Sequence, residues 1–144
     1  MKMTKIAVLL LAVVMVLGML ASCGAAPVTT VKISFVDENN KTIVDTYTAE
    51  LKKEKPTVLD AVNALSDAYA TMDDYANITL SEDNSSVKGV DNCQENLVPD
   101  ADNKIKYWIF LVNGKEPQGD INDVVVSDGD TIVFQFQYVE NIEE

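Results

Sequence analysis

The chain has 144 residues, of which 47% are hydrophobic and 24% are charged, a composition that predicts one globular domain and excludes a wholly disordered or fibrous chain. Histidine is absent, which excludes Ser-His and Cys-His nucleophile pairs and histidine-assisted zinc sites. Eleven lysines stand against 23 acidic residues, and the net charge of −12 argues against a nucleic acid as partner, because phosphate binding needs a cationic surface.

The N-terminus has the pattern of a cleaved secretory signal. Lys2 and Lys5 precede an uncharged apolar run at 6–20, and small residues follow. This run is shorter than the ~20 residues that a spanning helix needs, and the combination is typical of a signal peptide. The Leu-Ala-Ser-Cys sequence that ends at Cys23 resembles a bacterial lipobox.

The lipobox resemblance implies cleavage before Cys23 and a diacylglycerol thioether on its sulfur. The alternative is an uncleaved membrane anchor with an incidental cysteine. We predict a signal peptide at 1–22, a lipid-anchored cysteine with a short tether at 23–30, and a domain at 31–144. Cleavage would leave nine lysines against 23 acidic residues, a formal charge of −14 that anionic headgroups repel. We therefore expect an extracytoplasmic lipoprotein, anchored to a bacterial cell membrane.

The second cysteine, Cys93, has no partner for a disulfide within the chain once Cys23 carries lipid. A reactive thiol would lack a histidine to activate it. We interpret Cys93 as a half-buried free thiol.

The N-terminal half predicts a hairpin followed by one helix. Thr57 and Asp60 form an approximate capping box, and apolar residues recur at helical spacing over 57–70. A long surface loop is expected at 92–104. The strands predicted in this half, from alternating or β-branched patterns, are 31–36, 42–50, 78–80 and 85–91.

The C-terminal half predicts a strand at 105–112 that is apolar on both faces. Asn113-Gly114 after it is a strong signal for a type I′ hairpin turn, in which both positions need positive φ. A brief return is expected at 115–119, where Pro117 favours an edge position. The last strand, 131–139, has inward-facing side chains at Ile132, Phe134, Phe136 and Tyr138.

This element order predicts an α+β fold. One helix would cross a mixed sheet of four or five strands in a β-grasp, or ubiquitin-like, arrangement, with the terminal strand central beside the first.

Three motifs together resemble one family: Thr57-Val58-Leu59-Asp60-Ala61, Tyr107-Trp108-x-x-x-Val112-Asn113-Gly114, and Asp128-Gly129-Asp130-Thr131-Ile132. In this order and spacing they resemble the transcobalamin-like C-terminal domain, which occurs in bacterial lipoproteins as a domain of unknown function. The resemblance covers 57–138 and implies a β-grasp-like fold. It also implies a bound corrinoid or similar small ligand. In the animal cobalamin carriers, the similar domain covers one face of the corrin ring while a helical barrel holds the other.

These 144 residues leave no room for such a barrel, so we expect at most half of the pocket here. Without histidine, contacts to a corrinoid would come from aromatic and apolar side chains and backbone amides. No cofactor is required for such a role.

Four residues are candidates for ligand binding: Tyr107, Trp108, Asn113 and Gly114. Tyr107 or Trp108 would provide an exposed stacking platform for a flat ligand. The alternative interpretation places Trp108 in the core and pairs Tyr107 with Tyr138 across two strands.

The turn motif Asp128, Gly129 and Asp130 belongs to the family pattern. Local turn chemistry explains this motif, and Asn113-Gly114 as well, because glycine supplies positive φ and acidic side chains accept bonds from nearby amides.

Acidic residues suggest two further sites. Asp100-x-Asp102-Asn103 resembles the opening of a calcium loop, but Ile105 and Leu111 stand where the sixth-position glycine and twelfth-position glutamate belong. Asp73-Asp74 and Glu82-Asp83 could be proposed as acid/base pairs, although solvated surface is the simpler interpretation in so acidic a chain. We predict no metal site.

We therefore predict a non-catalytic binding module, tethered to the membrane, for a corrinoid or similar ligand or for a surface protein. The alternative is an adhesive or protein-docking module that uses an exposed strand edge and binds no small molecule. An enzyme is the least supported class, because no nucleophile, base or metal constellation is present.

Overall fold

The computed structural model describes residues 24–72 and 76–142. The predicted signal peptide, Cys23 and the Asp73-Asp74 pair lie outside these residues. In chain order the elements are β1 (Val28–Val36), β2 (Thr42–Lys52), α1 (Val58–Tyr69), β3 (Ile78–Leu80), β4 (Val87–Val90), β5 (Cys93–Gln94), β6 (Lys104–Val112) and β7 (Thr131–Glu140).

The strands form two sheets. The larger has the order β2-β1-β7-β6, and the smaller, antiparallel one has the order β3-β4-β5. The large sheet is mixed, because β1 runs parallel to β7 while β2 and β6 are antiparallel to their neighbours. The predicted α+β class, with one helix on a mixed sheet and the last strand beside the first, is confirmed. A fifth strand in that sheet is not found among the described residues, since β3, β4 and β5 pair separately.

The helix begins with the predicted capping box. The backbone N–H of Asp60 donates to Oγ1 of Thr57 (3.4 Å), and the backbone N–H of Thr57 donates to Oδ2 of Asp60 (2.7 Å). Lys53 forms an ion pair with the same carboxylate at 2.9 Å. Burial raises the pKa of Asp60, but these hydrogen bonds and the ammonium group outweigh it and lower the pKa overall. The reciprocal cap fixes where α1 leaves the preceding segment.

One face of the large sheet carries the core, covered by α1 over β1 and β2 and by β4 beside β6. Phe35 of β1 and Phe134 of β7 stack with ring centroids 4.6 Å apart. Trp108 meets the Phe35 ring edge-on at 5.8 Å. Two layers therefore cover the same face, one helical and one made of short strands.

Three local predictions need correction. Strand β1 starts at Val28, three residues earlier than predicted. The segment predicted as a loop at 92–104 contains β5 and an antiparallel bridge between Asn96 and Lys106, so part of it is paired. The predicted return at 115–119 is one bridge, Val112 to Lys115, because Pro117 and the following turns prevent a longer ladder. Within the described ranges, no helix is long and apolar enough to cross a bilayer.

Candidate functional site

Trp108 is a core residue held at its polar end. Its side chain is 9% exposed, and its ring lies 5.0 Å from that of Phe136. The indole Nε1–H donates a hydrogen bond of 3.1 Å to the carbonyl oxygen of Cys93 in β5. The single tryptophan therefore joins the small sheet to the large one, and its ring is not available as an open platform for a flat ligand.

Tyr107 lies on the opposite face of β6 and is half-buried. Its cross-strand neighbour is Gln137, while Tyr138 is opposite Lys106, so the predicted Tyr107–Tyr138 pair is wrong by one residue of register. A one-residue difference reverses the face, which places the two tyrosines on opposite sides of the sheet. Tyr138 lies on the predicted inward side, the side of Phe136, but it is half-buried and outside the core cluster.

Around Tyr107, on the side of the sheet away from the core of the described residues, lies a mostly apolar surface, which we call the outer face. Its members are half-buried and come from β6 and β7. They form four directly opposite pairs: Ile105 with Val139, Tyr107 with Gln137, Ile109 with Gln135, and Leu111 with Val133. Gln137 supplies an amide group beside the aromatic ring, while Nε2 of Gln135 donates to Oδ1 of Asn40 at 2.8 Å. This surface therefore combines a flat apolar area with hydrogen-bonding capacity.

A cavity of about 290 Å³ opens along the free edge of β6, and we call it the edge cavity. Strand β6 lines it together with segment 85–87 and residues of segment 116–121. These two segments are joined where the backbone N–H of Ile121 donates to the carbonyl oxygen of Ser85 at 3.2 Å. Glu116 and Asp120 are the charged residues of the lining, and both are exposed. The lining residues are Ser85, Ser86, Val87, Tyr107, Trp108, Ile109, Phe110, Glu116, Pro117, Gly119, Asp120, Ile121 and Phe134.

The sequence carries no signal that Glu116, Asp120 or the Ser85-Ser86 pair belongs to a site. These residues come from loops, and no spacing in the sequence shows that they meet beside β6. Pro117 was the nearest signal, since it indicated an edge.

The four candidate ligand-binding residues do not share one surface. Tyr107 and Trp108 line the edge cavity, but Asn113 and Gly114 form the turn at the end of β6 and are not in its lining. Their φ values of 52° and 77° confirm the predicted type I′ geometry. The ligand-binding role of the four residues stays a prediction.

The two turn motifs of the family pattern meet in space. Asn113 donates from Nδ2 to Oδ1 of Asp130 at 2.8 Å. Oδ1 of Asp128 accepts a hydrogen bond of 2.8 Å from the backbone N–H of Thr30. The N–H of Gly129 donates to the carbonyl oxygen of Thr30. These hydrogen bonds therefore join the turn before β7 and the start of β7 to β1 and to the end of β6.

The acidic motifs are occupied by local hydrogen bonds. Oδ1 of Asp100 accepts from the backbone N–H groups of Asp102 and Lys104, and Oδ2 accepts from the Tyr138 hydroxyl. Oδ1 of Asp83 accepts from the Ser81 hydroxyl and the N–H of Ser85. These bonds lower the pKa of Asp83 to about 2. Over the described residues, no three Cys, Asp or Glu side chains are grouped to hold a metal ion.

Cys93 is a half-buried free thiol, as predicted. Its burial, and then the nearby carboxylates of Glu38 and Asp37, raise the pKa of this thiol. Because the thiolate is the nucleophilic form, this environment makes the sulfur less reactive than an ordinary cysteine.

This geometry defines a small α+β domain with a mostly apolar outer sheet face around one tyrosine and a cavity at one sheet edge. A family model described as "Domain of unknown function (DUF4430)" matches residues 56–138, more than half of the chain, and the chain belongs to this family. The matched range contains α1, the edge cavity and both turn motifs. No curated protein matches the sequence.

Two solved structures resemble the fold. Haptocorrin in complex with cobinamide superposes with a TM-score of 0.52 at 16% identity, over 79% of this chain and 26% of that one. A protein from Ruminococcus gnavus ATCC 29149, provisionally described as metal binding, gives a TM-score of 0.49 at 12% identity, over 79% of this chain and 99% of that one. The chain therefore spans about a quarter of haptocorrin. The family match and the haptocorrin likeness fit the predicted transcobalamin-like domain.

Proposed function

We propose that this chain is an extracytoplasmic lipoprotein, anchored to a bacterial membrane through Cys23, whose β-grasp domain binds a corrinoid or similar flat ligand without catalysis. The observation that carries the proposal is the outer face, a mostly apolar strip of sheet away from the described core, with an aromatic ring at its centre. The likeness to haptocorrin, whose structure holds cobinamide, supports the ligand class.

The outer face suits a flat ligand that carries amide groups around its edge. The ring of Tyr107 lies between Ile105 and Ile109 along β6, which gives a ligand ring an apolar surface on which to stack. Gln137 stands directly opposite and offers a donor and an acceptor to polar groups at the ligand's rim.

This surface makes half of a ligand site. Sites for drug-sized ligands have volumes of about 300–1,000 Å³ and enclose most of the ligand. Among the described residues the outer face does not form a cavity, and the edge cavity beside it, at about 290 Å³, falls just below this range. A second protein is needed to cover the other face of the ligand, so the domain would capture or present a ligand within a complex.

Calorimetric titration of the full chain in detergent with cobinamide, and separately with cobalamin, tests the ligand. We expect a dissociation constant in the micromolar range or tighter, about −8 kcal/mol. Tyr107→Ala removes the stacking ring and should weaken binding at least tenfold, while Tyr107→Phe retains the ring and the affinity. Absence of heat with both ligands, or equal affinity for the Tyr107→Ala variant, would overturn the corrinoid proposal.

The anchor is tested with the two cysteines as a matched pair. Cys23→Ser should remove the lipid mass from the chain, because the thioether needs the sulfur of this cysteine. Cys93→Ser should remain anchored with its lipid. If the intact mass of the chain with both cysteines still includes residues 1–22 and no lipid, the segment is an uncleaved anchor and the lipoprotein proposal is overturned.

A further inference from the structure

Between Lys106 and Val112, the edge of β6 that faces away from β7 has no partner strand among the described residues. On its N-terminal side, Lys106 exchanges two backbone hydrogen bonds with Asn96, both 2.8 Å long. On its C-terminal side, Val112 exchanges two with Lys115, at 2.8 and 3.1 Å. These bridges show that the backbone groups of Lys106 and Val112 point away from β7.

The backbone direction alternates along an antiparallel strand, so Trp108 and Phe110 also direct their N–H and C=O groups away from β7. Within 24–72 and 76–142, these four groups have no hydrogen-bond partner. They face the edge cavity, whose lining includes both residues. The free stretch lies between bridges six residues apart, a span of about 20 Å, which admits a strand of about three to five residues.

Sheet edges in isolated proteins are commonly protected by lysine, proline or bulges. Here the protecting residues stand at the ends of the free stretch, at Lys104, Lys106 and Pro117. The stretch from Tyr107 to Leu111 between them is uncharged and free of proline. This edge is therefore built to accept a strand rather than to repel one.

The charge around the edge specifies the partner. Glu116 and Asp120 stand at the rim of the edge cavity, and no lysine lines it. A second copy of this chain, with its net charge of −12, would meet those carboxylates unfavourably. A segment with lysine or arginine beside its paired residues would meet complementary charge.

We propose that an extended, basic segment of a partner protein adds to β6 as a further strand, pairing with the backbone of Trp108 and Phe110 beside Glu116 and Asp120. Alternate residues of that strand enter the edge cavity, and the others extend the outer face beyond Tyr107. The inference rests on the proposed role as a binding module and names how its second protein is recruited.

Amide hydrogen exchange of the full chain in detergent tests the pairing. The probe is a short capped peptide of alternating lysine and valine. We expect it to slow exchange at the amides of Trp108 and Phe110 at least tenfold, while those of Tyr107 and Ile109, already bonded to β7, stay unchanged. A peptide of the same sequence with alternate backbone nitrogens methylated cannot pair and should give no protection. Equal protection by the methylated peptide, or protection without the two-residue alternation, overturns the proposal.

Charge variants test the specificity. The double variant Glu116→Lys, Asp120→Lys should bind the basic peptide about tenfold more weakly and gain affinity for a glutamate-valine peptide. Asp45→Lys, on exposed β2 at the opposite edge of the sheet, is the matched control and should bind as the unmodified chain does. Protection of Trp108 and Phe110 that rises with protein concentration alone would identify a second copy as the occupant and overturn the basic partner.

The two proposals fail separately. If the peptide protects the amides but cobinamide gives no heat, strand addition at β6 is supported and corrinoid binding is rejected. If cobinamide gives heat but the peptide does not protect the amides, strand addition is rejected and corrinoid binding is supported.

Discussion

Nδ2 of Asn113 donates a hydrogen bond of 2.8 Å to Oδ1 of Asp130, although 17 residues separate them. Oδ1 of the same asparagine accepts from the backbone N–H of Thr131 at 3.0 Å, and Oδ2 of the aspartate accepts from that of Ser127 at 2.7 Å. The asparagine amide suits this arrangement because it donates through Nδ2 and accepts through Oδ1 at the same time. The turn residues of the family pattern therefore have a structural role in closing the β6–β7 end of the sheet.

Asn113→Asp replaces the donor with a carboxylate facing Asp130. We expect a loss of about 1–3 kcal/mol in the free energy of unfolding, measured by urea denaturation at neutral pH, because the bond becomes a repulsion between like charges. The double change Asn113→Asp with Asp130→Asn restores one donor and one acceptor and should recover most of the loss. A double variant no more stable than the single one would contradict this role.

Trp108 is expected to contribute to the stability of the fold, because its side chain is buried in the core. Trp108→Ala should cost about 3–5 kcal/mol, the usual range for a buried aromatic side chain. Trp108→Phe retains most of the packing but loses the hydrogen bond to the Cys93 carbonyl, for a cost of about 1–2 kcal/mol. Chemical denaturation of both variants measures these costs. An unchanged stability for Trp108→Ala would show that the ring does not support the core.

The elements that the sequence predicted well carry local signals. The helix is specified by the Thr57–Asp60 box and its apolar stripe, and the turn after β6 by Asn113-Gly114, since these patterns act over a few residues. Strand β7 was equally clear, because its alternation is continuous.

The rest depended on contacts between distant residues. Cys93-Gln94 is too short to produce a periodic pattern, and it forms a strand only because β4 pairs with it. The register that opposes Tyr107 to Gln137 is set by the whole length of β6 against β7, and apolar residues on both faces of β6 gave no way to choose it. The edge cavity arises from loops that meet in space.

The cap of α1 should make stability depend on acid pH. The lowered folded-state pKa of Asp60 adds stability that is present above its usual value of 3.8 and is lost as the pH falls through the folded value. Asp60→Asn should therefore destabilise the protein at neutral pH, by about 1 kcal/mol, and much less in strong acid. The ion pair with Lys53 contributes little, because the lysine side chain is 55% exposed.

Urea denaturation at both pH values checks the Asp60 prediction. Asp67→Asn is the matched control, since Asp67 is the other aspartate of α1 and is exposed on its outer side. It should produce no loss at either pH. A pH-independent effect of Asp60→Asn would show that the carboxylate charge does not support the cap.

The Tyr138 hydroxyl donates a hydrogen bond to Asp100. This bond should shift the titration of Asp100 in acid and that of Tyr138 in alkali. The hydrogen bond lowers the pKa of Asp100 and raises that of Tyr138 to about 12. The stability it adds is therefore present between the usual values of 3.8 and 10, lost as acid protonates Asp100 and lost as the pH rises toward 12. Tyr138→Phe retains the ring beneath Lys104 and Lys106 but removes the bond. It should raise the pKa of Asp100, followed by carboxyl NMR, and abolish the late phase of phenolate absorbance. An Asp100 pKa that does not move in this variant would contradict the pairing.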